Sequence, residues 1–423
     1  MRKRIIVRAP VLSRSGYGEH ARFLLRALRS QEENFDTYLL NIPWGLTGWI
    51  FKDDEERNWL DSLIKKTVFY MQQGGQFDIS LQVTIPNEWE KMAPINIGCT
   101  AGAETTKIAP EWIQKANMMD KIIVVSSHAK HGFENTSYEA KNEQTGEIVK
   151  DFKCTTPVEV VNYPVRAFEA DENFNLELEY DFNFITMCQW SARKNLENTI
   201  KWWIEEFVDQ EVGLIVKTSI RNDSIIDRTY TLQKINALLK EYKNRKCKIY
   251  LLHGNMDEKE LSALFQHPKV KALINLSHGE GFGLPEFEAT YYGLPVIASD
   301  WGGHCDFLYR PKENKRGKIK NKGHFAKVDY DIAPIQDFAV WEGVLIKDSM
   351  WCFPKPSSYK KQIREVYKNY DRFKKQAVSL QEWVTNKFEA EKKYKEFCDH
   401  LAEYIEDDDE WLSNIESIIE EYE

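Results

Sequence analysis

The chain has 423 residues, of which 42% are hydrophobic and 29% charged, and its formal net charge is −9. This length fits two domains of ordinary size, and the negative balance gives no general attraction to nucleic acid. No apolar run approaches the ~20 residues that a membrane helix requires. The 7 cysteines are scattered and form no CxxC pair, which is typical of reduced thiols in a cytoplasmic compartment and indicates no metal framework.

The first half alternates between predicted strands and helices. Residues 3–7 form a short apolar strand, interrupted by Arg8 and too short for a signal peptide. Gly16 and Gly18 are predicted to lie in the loop before an amphipathic helix over 19–28. Because strands and helices alternate, we expect a parallel sheet covered on both faces. Further strands are predicted over 37–40, 79–83, 95–99 and 121–125, with helices over 54–65 and 110–117.

The first helix carries three arginines at helical spacing. Arg22, Arg26 and Arg29 are spaced so that they share one face. One interpretation is a solvated face. The other is an electrostatic contact with an anionic acceptor or with a membrane surface, to which the protein would bind peripherally.

Two segments interrupt the regular alternation and suggest domain limits. Residues 135–160 carry two polar β-like arms around 142–146, and we interpret them as an inserted hairpin. The acidic segment 169–179 is a predicted linker. We therefore expect a first domain over 1–168, a second over 169–384, and C-terminal helices over 385–423 that end in an acidic tail.

The second half repeats the alternation and ends in helices. Residues 311–325 are predicted to be a basic, glycine-containing loop. Strands are predicted over 184–188, 213–217, 249–252, 272–276 and 295–298, and helices over 195–207, 232–242, 257–266, 285–292, 362–373, 377–386 and 389–405.

Residues 270–308 contain the most informative pattern. A strand leads through a glycine-bearing turn into a helix, and this unit presents backbone N–H groups and a helix N-terminus to an anion. Glu280 lies on the turn and Glu288 inside the helix. Carboxylates would repel a bound phosphate, so they fit better as acceptors for sugar hydroxyls while the turn amides hold the charge. Arg193 and Lys194 precede another helix, where cations oppose the helix dipole and favour an anionic ligand.

This pattern resembles family 4 of the retaining glycosyltransferases. Its signature, two glutamates separated by seven residues, is matched by Glu280 and Glu288 in EGFGLPEFE, which GLPVIASDWGG follows. Arg193 and Lys194 before Asn195 also match. The resemblance implies the α/β GT-B fold, in which two Rossmann-like, doubly wound domains face a cleft and C-terminal helices cross back to the first domain.

The resemblance also implies roles for individual residues. Glu280 would accept hydrogen bonds from the transferred sugar, Lys194 with Arg193 would neutralise the departing diphosphate, and Glu104 would lie near the reacting sugar and the acceptor. Glu288 would accept hydrogen bonds from the nucleotide ribose. The other implied donor-binding positions are Gly281, Phe282, Gly283, Leu284, Lys217, Gly16, Gly18 and Asn255.

The leading hypothesis is a retaining hexosyltransferase that uses a nucleotide sugar, with UDP and GDP sugars expected first. It implies a glycan or lipid-linked saccharide as the acceptor, and neither a cofactor nor a divalent metal. Two alternatives stay open: a viral-type enzyme that glycosylates hydroxymethylated bases of DNA, and an inactive GT-B binding subunit. We expect the protein in the cytoplasm, with peripheral membrane contact through the arginine-bearing helix.

Overall fold

The structure is a computed structural model, and it describes residues 2–141, 146, 148–313 and 317–405. Its framework is two six-stranded parallel sheets, one in each half of the chain. The predicted α/β class with two doubly wound units is therefore confirmed. The turn of the inserted hairpin at 142–145 and the acidic tail at 406–423 lie outside the described residues.

The first unit is built on the sheet β2-β1-β3-β4-β5-β8, in which every neighbouring pair of strands runs parallel. Its inner strands are apolar runs because both faces of a parallel sheet are covered. The elements of this half are β1 (Lys3–Ala9), α1 (Gly16–Arg29), β2 (Phe35–Asn41), α2 (Glu55–Gln72), β3 (Ile79–Val83), β4 (Ile95–Thr100), α3 (Pro110–Ala116), β5 (Lys121–Val124), α4 (Ser127–Glu134), β6 (Ser137–Lys141), β7 (Ile148–Lys153) and β8 (Val158–Val160).

Helix α1 begins earlier than the sequence predicts. The Ser15 hydroxyl caps the helix by accepting a hydrogen bond from the Gly18 backbone N–H at 3.1 Å. Gly16 and Gly18 therefore lie in the first helical turn and not in a loop. A Cβ atom at Gly18 would lie 2.0 Å from the Ser13 carbonyl oxygen, so the close approach of the preceding chain requires glycine there.

The three arginines of α1 are neutralised within the chain. Arg22 lies 3.0 Å from the Glu19 carboxylate, while Arg26 and Arg29 lie 2.5 and 3.3 Å from carboxylates of α2. Because each cation already has a carboxylate partner, this face gives no support to the predicted contact with a membrane or an anionic acceptor. Among the described residues, no helix is both long and apolar enough to span a membrane.

The second unit is built on the sheet β11-β10-β9-β12-β13-β16, which is also entirely parallel. Residues 161–182 connect the two sheets without a helix or strand, and this segment includes the predicted linker. The elements of this half are β9 (Asn183–Gln189), α5 (Leu196–Phe207), β10 (Gly213–Ser219), α6 (Ile225–Leu239), β11 (Lys248–Leu252), α7 (Glu258–Gln266), β12 (Val270–Asn275), α8 (Leu284–Tyr291), β13 (Val296–Ser299), α9 (Cys305–Leu308), β14 (Tyr309–Glu313), β15 (Ile319–Gly323), β16 (Ala326–Val328), β17 (Tyr330–Pro334), β18 (Met350–Pro354), α10 (Pro356–Lys368), α11 (Tyr370–Lys387) and α12 (Ala390–Asp399).

Two segments differ from the sequence-based prediction. The basic segment 311–325 is not a loop, because β14 and β15 pair antiparallel within it. Residues 158–160 are not part of the inserted hairpin but form β8, an edge strand that pairs parallel with β5. The arms of the inserted hairpin are β6 and β7, which pair antiparallel as predicted.

The C-terminal helices return to the first unit, as predicted. The Phe397 ring on α12 packs 6.3 Å from the Phe23 ring on α1, and the Cys398 thiol donates to the Ala27 carbonyl oxygen at 3.3 Å. All four of these residues are buried, so α12 completes the core under α1.

Glycines allow the backbones of the two units to meet. A Cβ atom on Gly279 would lie 1.9 Å from the Glu104 carbonyl oxygen, and one on Gly281 would lie 2.1 Å from the Ala101 carbonyl oxygen. The Ser126 hydroxyl donates to the Gly281 carbonyl oxygen at 2.5 Å. A side chain at either glycine would push the units apart, so this contact holds the loop after β12 against the loop after β4.

Candidate functional site

All but one of the residues singled out by their sequence pattern line a cleft between the two units. In the second sheet the strand order reverses between β9 and β12, and ligands of open α/β sheets bind beyond the carboxyl ends of the strands at such a switch point. The loop after β9 carries Arg193 and Lys194, and the loop after β12 carries Glu280. The cleft has a volume of about 1270 Å³ and is lined by residues of both units.

Glu280 is the centre of a buried cluster of charges. Its side chain accepts from three donors: Lys194 Nζ at 2.5 Å, Arg193 Nη1 at 3.3 Å and Asn275 Nδ2 at 3.1 Å. The residue is only 6% exposed, and burial alone would raise its pKa. The charges of Lys194 and Arg193 outweigh burial and hold the pKa of Glu280 below its usual range, so the carboxylate is ionised.

Arg193 extends this cluster to the first unit. Its Nη2 atom lies 3.4 Å from Glu104 Oε1, and its Nη1 atom donates to the Gly279 carbonyl oxygen at 2.6 Å. The structure thus brings together all four residues predicted to be catalytic, which are Glu280, Lys194, Arg193 and Glu104.

Asn195 holds the loop that bears the two cations. It takes a left-handed conformation, with a φ of 52°, immediately before α5. Its Nδ2 atom donates to the Leu276 carbonyl oxygen at 3.2 Å, just beyond β12. Asparagine tolerates this conformation better than most residues, and the hydrogen bond ties the loop after β9 to the loop after β12.

The turn before α8 presents backbone donors to the cleft. Gly283 caps the helix with a φ of 94°, a conformation that favours glycine. Among the described residues, no acceptor is hydrogen-bonded to the amides of Phe282, Gly283 and Leu284. Free amides at the positive end of a helix dipole attract an anion. The four residues of this turn that the resemblance assigns to donor binding all line the cleft: Gly281, Phe282, Gly283 and Leu284.

Glu288 lies one turn further along α8 and also lines the cleft. Burial and the nearby Glu19 carboxylate raise the pKa of Glu288 to about 8, against the opposing effect of Arg166. Within the described part of the chain, its side chain makes no hydrogen bond or ion pair. Glu288 is therefore available to bind hydroxyl groups of a ligand.

Lys217 and Asn255 line the cleft at the carboxyl ends of β10 and β11. Lys217 Nζ donates to the Gly254 carbonyl oxygen, and burial lowers the pKa of this lysine. Asn255 donates to the Asp223 carboxylate. In the described structure neither side chain is bonded to the Glu280 cluster, so both belong to another part of the same cleft.

Of the two glycines predicted near the donor, only Gly16 lines the cleft. A Cβ atom at Gly16 would lie 3.9 Å from a methyl group of Leu284, which places the start of α1 opposite the start of α8. Gly18 faces the Ser13 carbonyl instead and is not among the lining residues.

The sequence pattern did not indicate a second buried carboxyl group, that of Glu286. This residue is 0% exposed, and Asn275 Nδ2 donates to both the Glu286 and the Glu280 carboxylate. Burial and the neighbouring charge of Glu280 raise the pKa of Glu286 to about 8. Its Oε2 atom has no partner in the described structure. In the sequence, Glu286 is an acid in the first turn of a helix, a common surface feature that gives no functional signal.

The histidines near the turn make hydrogen bonds to the backbone. His278 Nδ1 lies 2.7 Å from the Cys352 carbonyl oxygen, and His304 Nε2 lies 2.7 Å from the Ser299 carbonyl oxygen. Among the described residues, no group of three or more His, Cys, Asp or Glu side chains is placed to hold a metal ion.

The comparisons with known proteins agree with this geometry. Residues 222–317 match the family described as Glycosyl transferases group 1, a segment that includes Glu280 and Glu288. A search of curated protein sequences finds no match. The more specific assignment to family 4 stays a prediction.

Solved structures with the same architecture cover nearly the whole chain. Sucrose-phosphate synthase from Thermosynechococcus elongatus aligns over 95% of this chain and 99% of its own, with 12% identity and a TM-score of 0.60. HepE from Anabaena in complex with UDP-glucose aligns over 95% and 100%, with 13% identity and a TM-score of 0.56. A glycosyltransferase from Rickettsia africae aligns over 96% and 99%, with 12% identity and a TM-score of 0.56. These similarities confirm the predicted GT-B fold.

Replacing Glu286 with glutamine should change how stability depends on pH. The pKa of Glu286 is raised to about 8 from an ordinary value of 4.5, so between these pH values the folded state keeps a proton that the unfolded chain has lost. The free energy of unfolding therefore falls as pH rises through this window, by at most about 1.4 kcal/mol per pH unit from this group. Glu286→Gln removes this contribution to the pH dependence. The similar contribution of Glu288, whose pKa is also raised to about 8, remains in the variant.

The measurement is thermal unfolding of the wild type and Glu286→Gln between pH 5 and 8. We expect the melting temperature of the variant minus that of the wild type to increase as pH rises. Glu197→Gln, which changes an exposed carboxylate on α5, is the control and should follow the wild type. Parallel curves for wild type and Glu286→Gln would show that Glu286 does not titrate in this range.

Proposed function

We propose that this protein is a retaining glycosyltransferase that moves a hexose from a nucleotide sugar to a hydroxyl group of a glycan or lipid-linked saccharide. The observation that carries the proposal is the position of the Lys194–Glu280 ion pair at the switch point, next in the chain to the amides of residues 282–284, which have no acceptor among the described residues. A sugar joined to a diphosphate needs hydrogen-bond acceptors for its hydroxyls and, next to them, hydrogen-bond donors for its phosphate oxygens. This site supplies both.

Lys194 contributes both to binding of the sugar and to binding of the diphosphate. An ammonium group has three N–H donors, and one of them is directed at Glu280. The other two have no acceptor in the part of the chain that the structure describes and would donate to phosphate oxygens, so the same side chain orients the carboxylate for the sugar and binds the diphosphate. Arg193 and the turn amides add to the stabilisation of the charge that grows on the leaving diphosphate. We infer that the reaction needs no divalent metal.

The other cleft residues would hold the nucleotide. Glu288, which has no partner in the described structure, would bind the ribose hydroxyls. Lys217 and Asn255 line the same cleft and would bind the diphosphate and the base. Gly16 faces α8 across the cleft and leaves room for the donor between the two units.

The reaction proceeds without a side-chain nucleophile. The bond between the anomeric carbon and the diphosphate oxygen breaks, and its electron pair leaves with the nucleoside diphosphate. The acceptor oxygen forms a new bond to the anomeric carbon on the same face, and its proton passes to the departing phosphate oxygen. The configuration is therefore retained. The transition state resembles an oxocarbenium ion, which the cleft would shield from water.

The comparisons support the choice of donor. The match to glycosyl transferases group 1 covers the segment that contains both glutamates. HepE, which has the same fold, was crystallised with UDP-glucose and with UDP and glucose. UDP sugars are therefore the first donors to test, followed by GDP sugars.

A donor screen tests the proposed function directly. The melting temperature of the protein is measured with UDP-, GDP-, ADP- and dTDP-sugars in the presence of EDTA. Hydrolysis of each donor is then measured in EDTA and again after magnesium is added. We expect a uridine or guanosine sugar to raise the melting temperature, and turnover to persist in EDTA. No shift with any donor would favour an inactive scaffold. Turnover that is lost in EDTA and restored by magnesium would contradict metal independence.

Replacing Glu288 with alanine should weaken nucleotide binding. Loss of hydrogen bonds between the carboxyl group and the ribose should raise the Kd of the matching nucleoside diphosphate about tenfold or more, as measured by calorimetry. Glu197→Ala, which removes an exposed carboxylate from α5, should bind like the wild type. Equal affinities in all three proteins would exclude the ribose role.

Replacing Lys194 with alanine should slow the chemical step. We expect kcat for the matching donor to fall about 100-fold, because a cation that stabilises the leaving diphosphate is lost. Lys194→Arg keeps the charge near Glu280 and should retain more activity than Lys194→Ala. If both variants changed only KM, Lys194 would serve binding and not transition-state stabilisation.

A further inference from the structure

The segment 335–349, which we term the arm, connects β17 to β18 and reaches from the second unit to the first. It is pinned to the first unit at its C-terminal end, where the Thr106 amide donates to the Met350 carbonyl oxygen at 2.8 Å and the Met350 amide donates to the Thr106 hydroxyl at 3.0 Å. Val344 is buried in an apolar cluster of the first unit that includes Trp112. The arm is therefore a fixed part of the cleft wall.

The arm holds two aromatic side chains in an exposed position. Trp341 and Phe338 are 59% and 78% exposed, although the backbone around Trp341 is well ordered by hydrogen bonds. The Trp341 amide donates to the Leu345 carbonyl oxygen at 2.9 Å, and the Leu345 amide donates back at 2.7 Å. Gly343 closes this turn with a φ of 72°. Large rings kept in water on an anchored turn are typical of a binding surface.

These rings share the cleft with the reacting groups. Phe338 and Trp341 line the same cleft as Glu280 and Glu104. The arm is anchored at Thr106, two residues beyond Glu104, and Glu104 in turn pairs with the Arg193 guanidinium at 3.4 Å. The arm therefore borders the part of the cleft that Glu104 lines.

The charges on this side do not favour an anion. Glu88 and Glu104 line the cleft here, and the nearby cation Arg193 is shared between Glu104 and Glu280. The lysines of the neighbourhood are paired as well, since Lys107 lies 3.4 Å from the Asp348 carboxylate and Lys347 lies 3.3 Å from that of Asp337. Among the described residues of this wall, Arg193, Lys107 and Lys347 each have a carboxylate partner, and Arg8 donates to the Glu88 carbonyl oxygen at 3.0 Å.

We propose that the arm is the acceptor platform, on which Trp341 and Phe338 stack against an uncharged hexose ring while Glu88 and Glu104 accept hydrogen bonds from its hydroxyls. This inference rests on the proposed glycosyltransferase function and narrows the acceptor to a neutral saccharide. The C–H face of a sugar ring is apolar and packs on aromatic rings, and its hydroxyls are donors that suit carboxylates. A phosphate-bearing acceptor would be repelled by the same carboxylates.

The test compares Trp341→Ala, Phe338→Ala and Trp341→Phe with the wild type. Phe69→Ala, which removes an exposed ring from α2 outside the cleft, is the control. Each protein is assayed for nucleoside diphosphate binding, for donor hydrolysis, and for transfer to methyl glucoside, methyl galactoside and methyl mannoside. Glucose 6-phosphate and mannose 6-phosphate are the charged counterparts.

We expect the wild type to glycosylate a methyl hexoside in preference to the sugar phosphates. Trp341→Ala and Phe338→Ala should each lower kcat/KM for that acceptor about tenfold through a higher KM, with nucleotide affinity and donor hydrolysis unchanged. Trp341→Phe should restore most of the transfer, and Phe69→Ala should behave like the wild type.

Three results would overturn the acceptor proposal: unchanged transfer in both alanine variants, preference for a sugar phosphate, or donor hydrolysis without transfer to any neutral hexoside. Each of these leaves donor binding intact. Failure of the wild type to bind any nucleotide sugar would instead contradict the proposed function, so the two failures are distinguishable.

Discussion

A buried carboxylate stays ionised only where cations replace the water that it has lost. Glu280 meets this condition through Lys194 at 2.5 Å and Arg193 at 3.3 Å. The ion pairs of Glu280 with these two cations can form because β9 and β12 are neighbours in the sheet, so the loops at their carboxyl ends converge. Asn195 then fixes the spacing of the two loops through its hydrogen bond to the Leu276 carbonyl oxygen.

The same cluster depends on close contact between the two units. Arg193 reaches the Glu104 carboxylate of the first unit, and the backbones approach so closely at Gly279 and Gly281 that a Cβ atom would not fit. Electrostatic and steric constraints therefore act on the same loop. The arm adds a second attachment at Thr106, so the first unit is held on both sides of Glu104.

Three glutamates within nine residues have different electrostatic environments. Glu280 is ionised because two cations surround it, whereas burial and the charge of Glu280 raise the pKa of Glu286 to about 8. Glu288 has a similarly raised pKa and makes no hydrogen bond in the described structure. The cleft thus has a cationic, amide-rich region, which we propose binds the diphosphate, and an acidic, aromatic wall, which we propose binds the acceptor.

Much of the framework could be predicted because it depends on local periodicity. The alternation of apolar strands and amphipathic helices predicted two parallel sheets, and most element positions agree with the structure to within a few residues. The wrong predictions occur where one local sequence pattern is compatible with two different structures. Gly16 and Gly18 resembled a loop but lie in the first turn of α1, because Ser15 caps the helix before them. The basic segment 311–325 resembled a loop but pairs as β14 and β15.

By itself, the sequence determined the fold class and predicted a donor side of the site, because glycines, two spaced glutamates and a pair of cations occupy short segments whose chemistry is local. Only the tertiary structure decided which charges meet. The Lys194–Glu280 pair, the shared amide of Asn275 and the approach of the arm to Thr106 join residues that are distant along the chain or separated by a turn. Burial and charge neighbours, which set the pKa of a carboxyl group, exist only once the chain has folded.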